Sequence, residues 1–210
     1  MSDSAAVWTV VVPVKGTAAG KSRMSPTVDS TRRALLAEAF ALDTLAALQG
    51  TPSVGRVIVV TDPDAGPTAA LRTLGAEIVA DPGLGLNPAI SAALDTVAHG
   101  SSGSHLAVLL GDLPSLRSAD LAAALRLAEQ HPLAVVADAE GSGTTLLTAR
   151  AGEGLVPQFG SGSAARHLAA GHRPLEVPPT STLRLDVDTE ADLAEAIARG
   201  VGEHTRRALG

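Results

Sequence analysis

No cysteine occurs in the 210 residues. This excludes disulfides, thiolate-bound zinc and a cysteine nucleophile. The N-terminus, Met1-Ser2-Asp3-Ser4, lacks the basic stretch of a secretory signal. The longest apolar run, from Val7 to Val14, is too short to cross a bilayer. A soluble, cytoplasmic protein is therefore expected. Linkers, low-complexity tracts and internal repeats are also missing, and the length suits a single domain over residues 1–210. No G-x-S-x-G elbow is present, which leaves no case for a serine hydrolase. The six histidines show no metal-binding spacing, and His167, next to Arg166 on a short helix, is expected at the surface, with a position facing the pocket as the alternative.

Lysine is scarce. Against fourteen arginines there are two lysines, Lys15 and Lys21, and they share one loop with Arg23. The net charge of −6 argues against a nucleic-acid partner, which needs a basic footprint. A small anion is still compatible with positive charge concentrated in one place.

The chain alternates strand-like and helix-like segments. Strands are predicted at residues 8–14, 56–61, 76–80, 105–110, 133–138 and 144–149, near 175–177 and at 183–187. Helices are predicted at 29–49, 67–74, from 87 or 88 onward, at 118–130 with Ser118 as cap, briefly after Ser163, and last after Thr189. Leu35, Ala39, Leu42 and Ala46 are taken as the buried face of the first long helix. The early strands are continuous apolar runs, as in a largely parallel sheet covered on both faces. The expected fold is α/β: a three-layer sandwich with a mostly parallel sheet, Rossmann-like. Ligands of such sheets bind beyond the carboxyl ends of strands, where the strand order reverses.

Four motifs follow strands. The loop Lys15-Gly16-Thr17-Ala18-Ala19-Gly20-Lys21-Ser22-Arg23 combines small residues, which let backbone N–H groups approach phosphates, with three cations. It is not a Walker A loop, because three residues rather than four separate its glycines. Gly111-Asp112-Leu113-Pro114 places a carboxylate at a strand end, suited to holding Mg²⁺. Asp186-Val187-Asp188-Thr189 supplies two more acids on one side of an extended segment. Asp186 is the preferred ligand, and Asp188 either binds metal or caps the last helix. Gly141-Ser142-Gly143-Thr144 and Gln158-Phe159-Gly160-Ser161-Gly162-Ser163 form a second anion pocket, the latter with free N–H groups expected at a helix start.

Val12-Pro13-Val14-Lys15, Lys21-Ser22-Arg23-Met24, Asp43-Thr44-Leu45, Leu86-Asn87-Pro88-Ala89-Ile90, Gly111-Asp112-Leu113-Pro114, Ser163-Ala164-Ala165-Arg166-His167 and Asp186-Val187-Asp188-Thr189 together resemble the CofC/FbiD family of guanylyltransferases. The match covers nearly the whole chain. That family makes the phospho-acid precursor of the deazaflavin coenzyme F-420. The resemblance implies a nucleotidyltransferase fold, GTP as donor, and a phosphorylated three-carbon acid as acceptor. Phosphoenolpyruvate is the acceptor in the actinobacterial branch, which the Lys-poor composition resembles. Alternatives within the family are 2-phospho-L-lactate and 3-phosphoglycerate.

The resemblance also implies roles for particular residues. Asp112 and Asp186 would hold Mg²⁺, with Asp188 beside them, and Thr144, Gly160 and Ser163, with Ser161, would hold the acceptor. Ser161-Gly162 stands where a close relative has Pro-Asp. Lys15, Gly16, Lys21 and Arg23 are expected on the triphosphate, with Lys21 and Arg23 also catalytic, and Asn87 on the base or ribose. A deazaflavin phospho-acid transferase would take the product. The competing readings are a non-catalytic nucleotide-binding protein of the same fold and a molybdenum-cofactor guanylyltransferase. The latter family opens with a Gly-Gly loop in place of Pro13-Val14-Lys15.

Overall fold

The computed structural model describes residues 7–14, 30–98 and 103–210. Its elements are β1 (Trp8–Pro13), α1 (Ser30–Gln49), β2 (Val54–Thr61), α2 (Thr68–Thr73), β3 (Glu77–Ala80), α3 (Leu86–Ala98), β4 (His105–Leu109), α4 (Ser118–Ala128), β5 (Leu133–Ala137), β6 (Thr144–Ala149), α5 (Ser163–Ala169), β7 (Arg173–Pro174), a 3-10 turn at Thr182–Arg184, α6 (Glu190–Arg199) and α7 (Glu203–Leu209).

The strands form one seven-stranded sheet in the order β3-β2-β1-β4-β6-β5-β7. Strands β3, β2, β1 and β4 are parallel, and β6 runs antiparallel to both β4 and β5. The order reverses at β1: the chain builds outward to β3 and then returns to place β4 on the other side. The crevice between the carboxyl ends of β1 and β4 is where such a sheet offers a ligand site.

All six residues of β1 are buried, because both faces of the strand are covered. Val10 and Val12 face a core shared with α1 and α4, and Val11 faces a core built on α3. The three layers follow directly. Burying each valine contributes roughly 1.5–3 kcal/mol.

Helix α1 departs from the expected stripe. Leu35 is 55% exposed, and the buried side chains are Leu36, Ala39, Phe40, Leu42, Leu45 and Leu48. The helix is covered twice: by the sheet along one side, and by a separate cluster of Leu185, Val187, Ala196 and Val201 around Leu36 and Phe40. A helix buried on two sides shows little periodic contrast.

Three further expectations are corrected. Residues 183–187 do alternate, with Leu183, Leu185 and Val187 buried, but they form the end of a 3-10 turn and an irregular stretch outside the sheet instead of a strand. Asp120 fixes the turn by accepting from the N–H and hydroxyl of Thr182 at 2.8 and 2.5 Å. The strand expected near 175–177 is the two-residue β7. Ser118 does not cap α4; Arg117 holds that position, and the Ser118 hydroxyl donates to the Ala47 carbonyl at 2.8 Å, stitching α4 to α1.

Helix α7 follows the helix expected to be last, and Asp43 explains its position. The buried Asp43 carboxylate, midway along α1, accepts from the N–H groups of His204 and Thr205 at 3.0 and 2.8 Å. A carboxylate on the first-turn donors satisfies them and opposes the helix dipole favourably. Asp43→Ala is expected to cost about 1–3 kcal/mol, from the lost cap and the stranded donors. Urea denaturation would measure it, and the His204 and Thr205 amides should lose hydrogen-exchange protection first.

Candidate active site

A cavity of about 460 Å³ opens at the carboxyl ends of β1 and β4. One wall is acidic. Asp112 follows β4, and Asp186 and Asp188 come from the extended segment below the 3-10 turn. The segments are joined directly, with the Val187 N–H donating to the Asp112 carbonyl at 3.1 Å. From behind, the Thr44 hydroxyl on α1 accepts from the Leu113 N–H at 3.1 Å. The motif Asp43-Thr44 thus carries no chemistry of its own; it anchors α7 and the loop that presents Asp112.

Asp188 is not the cap of α6. Thr189 is, in a reciprocal box: its hydroxyl accepts from the Asp192 N–H at 3.2 Å, and the Asp192 carboxylate accepts from the Thr189 N–H at 2.7 Å. Asp188 lines the cavity two residues from Asp186, on the same side of the segment.

Asp138, at the end of β5, is a fourth acid on the cavity. Its two oxygens accept from the Ser142 and Gly143 N–H groups at 3.0 and 2.7 Å, closing the hairpin to β6. A Cβ on residue 143 would lie 2.3 Å from that carboxylate, so only glycine fits. Arg184 donates to the Ala137 and Asp138 carbonyls at 3.2 and 2.7 Å and fixes the strand end. Glu140, Ser142 and Phe159 also line the space.

The other wall is built of hydroxyls. Thr144 opens β6 and Ser163 opens α5; both are buried, 3.1 Å apart, and line the cavity. His167 stands behind them, fully buried instead of at the surface, with Nδ1 3.0 Å from Thr144 Oγ1 and Nε2 accepting the Gln158 N–H at 3.0 Å. Burial, followed by the neighbouring His172 and Arg166, pushes its pKa down to about 4, so the ring is neutral at neutral pH.

Gly160 and Ser161 complete this wall. Gly160 has a φ of 117°, open to glycine but not to residues with a Cβ. Arg166 holds the loop by donating to the carbonyls of Ser161 and Gln158 at 2.6 and 3.0 Å. Two of the N–H groups at the start of α5 are taken: Ser163 donates to Gly160 and Ala164 to Ser142. The side chains that this wall presents are hydroxyls.

Asn87 lies in the first turn of α3, one layer back. Its side chain donates to the Phe159 carbonyl at 3.1 Å and accepts from the Phe159 N–H at 2.7 Å, holding the loop that carries Gly160 and Ser161. Lys15, Gly16, Lys21 and Arg23 lie outside the described residues; Val14, the last described residue before them, lines the cavity.

The acidic wall offers only carboxylate oxygens, hard donors that suit Mg²⁺. Among the described residues no three ligating side chains close into a ready-made cage. Mg²⁺ does not need one, since it keeps waters and takes one or two carboxylates together with substrate phosphates. Burial, followed by the like charges of Asp112, Asp188 and Asp138, pushes the Asp186 carboxyl up to about 7.

A sheet with this strand order, covered on both faces and carrying an acidic crevice at its switch point, defines an α/β nucleotidyltransferase of Rossmann-like fold. Solved structures share the architecture. A protein described as a nucleotide-diphospho-sugar transferase from Desulfovibrio desulfuricans aligns with a TM-score of 0.68 at 18% identity, over 90% of this chain and 85% of that one. A 4-diphosphocytidyl-2C-methyl-D-erythritol synthase aligns with a TM-score of 0.62 at 12% identity, over 92% and 98%. Residues 8–210 match the model of the CofC-like guanylyl transferases, and the chain belongs to that family. Relatives named phosphoenolpyruvate guanylyltransferase include one from Streptomyces coelicolor, 49% identical over 94% of this chain and 93% of its own length. Another, from Mycolicibacterium gilvum, is 41% identical over 95% and 94%.

The raised pKa of Asp186 has a consequence for stability. A carboxyl that holds its proton more tightly when folded favours the folded state at low pH, and the advantage is lost as pH rises from 3.8 through about 7. Asp186→Asn in the presence of a chelator is therefore expected to stabilise the protein at pH 8, by on the order of 1–3 kcal/mol. At pH 5 the gain should shrink markedly. Thermal melts at the two pH values measure the difference.

Proposed function

We propose that this chain is a guanylyltransferase that joins phosphoenolpyruvate to the GMP moiety of GTP and releases pyrophosphate, in the biosynthesis of coenzyme F-420. The observation that carries the reading is one cavity with two unlike walls. Carboxylates face hydroxyls across a space that accommodates a nucleotide phosphate and a small acid together.

An oxygen of the acceptor phosphate attacks the α-phosphorus of GTP. The bond from that phosphorus to the bridging oxygen breaks in line, and pyrophosphate leaves with the electron pair. The acceptor is already an anion near neutral pH, so no protein nucleophile is required. Catalysis is then positioning plus charge neutralisation. Asp112 and Asp186, with Asp188 beside them, would hold Mg²⁺, which supplies charge neutralisation where the phosphates meet. Lys15, Lys21 and Arg23 would contact the triphosphate, supported by their composition and by the family resemblance. Thr144, Gly160, Ser161 and Ser163 would hold the acceptor. The product, enolpyruvyl-diphospho-guanosine, would pass to a deazaflavin phospho-acid transferase. The reading places the protein in the cytoplasm, and no helix among the described residues is long and apolar enough to cross a membrane.

The test is pyrophosphate release with GTP, Mg²⁺ and each of phosphoenolpyruvate, 2-phospho-L-lactate and 3-phosphoglycerate. Turnover is expected with phosphoenolpyruvate. Release with 2-phospho-L-lactate alone would overturn the acceptor and leave the mechanism, and silence with every acid would overturn both.

Two substitutions extend the test. Asp112→Ala should abolish Mg²⁺-dependent turnover in a protein that still folds. Lys21→Ala should lose roughly 100- to 1,000-fold in turnover, as removal of a charge-stabilising donor typically does. A loss below about tenfold would place Lys21 away from the reacting phosphates.

A further inference from the structure

The hydroxyl wall has a proton count that can be followed atom by atom. The Gln158 N–H can only donate, so Nε2 of His167 accepts. A neutral imidazole with an accepting Nε2 carries its proton on Nδ1. That N–H faces Thr144 Oγ1 at 3.0 Å, so Thr144 accepts from it. Thr144 and Ser163 share one further hydrogen bond at 3.1 Å, which uses one of their two hydroxyl protons. One hydroxyl proton of the pair therefore remains, on a buried group that lines the cavity.

With the opposite tautomer, Nδ1 would accept the Thr144 proton. The pair would then have no proton left for a ligand. The backbone of Gln158 excludes that arrangement. The charged groups nearest the ring are Arg166 on its own helix and, when protonated, His172, 5.5 Å away between ring centres; both disfavour a second proton on His167.

We propose that His167 is a positioning residue for the acceptor acid, its Nδ1–H fixing Thr144 so that the Thr144–Ser163 pair acts as a net donor toward a carboxylate or phosphate oxygen of the ligand. The inference rests on the acceptor site described above. His167 touches no substrate; it acts through Thr144. A ligand oxygen with a free lone pair finds a fixed donor there, which favours unprotonated oxygen at that point of the wall.

The test is a double-mutant cycle of His167→Phe and Thr144→Val, read as KM for phosphoenolpyruvate and KM for GTP. His167→Phe is expected to raise the acceptor KM about tenfold or more while the GTP KM stays within about twofold, the loss expected for roughly one charge-assisted hydrogen bond. Added to Thr144→Val it should cost little further, because the hydroxyl through which it acts is gone. His167→Asn, which keeps a donor near the Nδ1 position, should recover part of the acceptor affinity. Additive losses, or equal losses for GTP and acceptor, would mean that His167 only packs the helix and would overturn the proposal. If His167→Phe does not fold, imidazole ¹⁵N spectra of the wild-type protein decide: an Nδ1-protonated ring at pH 6–8 is expected, and an Nε2-protonated ring overturns it. Wild-type protein that releases no pyrophosphate with any of the three acids refutes the guanylyltransferase reading and this inference with it. Wild-type turnover with an additive cycle refutes this inference alone.

Discussion

Like charges on one side of a half-buried space are the constraint around which this molecule is organised. Asp112, Asp138, Asp186 and Asp188 arrive from three separate stretches of chain, and the charge on Asp186 is disfavoured by the other three. The bonds that fix them run through the backbone. Val187 ties its segment to the carbonyl of Asp112, the hairpin amides close on Asp138, and the capping box of α6 begins one residue after Asp188. Even Arg184 spends its guanidinium on strand-end carbonyls. Such a wall is costly for the protein by itself, and under the proposed function a cation and a polyphosphate would share the charge.

The groups that back the hydroxyls are neutral. His167 is neutral and buried, Thr144 and Ser163 are hydroxyls, and Asn87 supports the loop as a neutral amide. A charged residue there would need its own desolvation to be compensated. Under the proposed function the two walls would divide the work, one holding a cation and the other donating to the acceptor.

Much of this was legible in the sequence, and the exceptions have physical causes. Continuous apolar runs located β1, β2 and β4, because strands covered on both faces need them. Acids after strand-like segments located Asp112 and Asp186. The alternation over 183–187 was real, but burial pattern reports a covered face and says nothing of ladder pairing, so a stretch outside the sheet read as a strand. Leu35 misled for the reverse reason: a helix covered from two sides has no single stripe to find. His167 was misplaced because a single histidine on a seven-residue helix has no periodic signal; its burial goes with bonds to Gln158 and Thr144, nine and 23 residues away. Asp138 had a usable signal in the Gly-Ser-Gly that follows it, small residues whose amides close on a carboxylate.

One strand, β6, runs against its neighbours, and this changes which residues reach the rim. Along β4 the ligand end is the exit, so Asp112 stands on the loop that leaves it. Along β6 the same edge is the entrance, and Thr144 is the first residue of the strand, held by the ladder to Ala137. Asp138 and Thr144 are therefore the two posts of a single hairpin, with residues 139–143 between them. Substitutions in that short span reshape one rim of the cavity alone, while the parallel half of the sheet keeps its register. An inverted strand here works as a replaceable insert in a fixed frame.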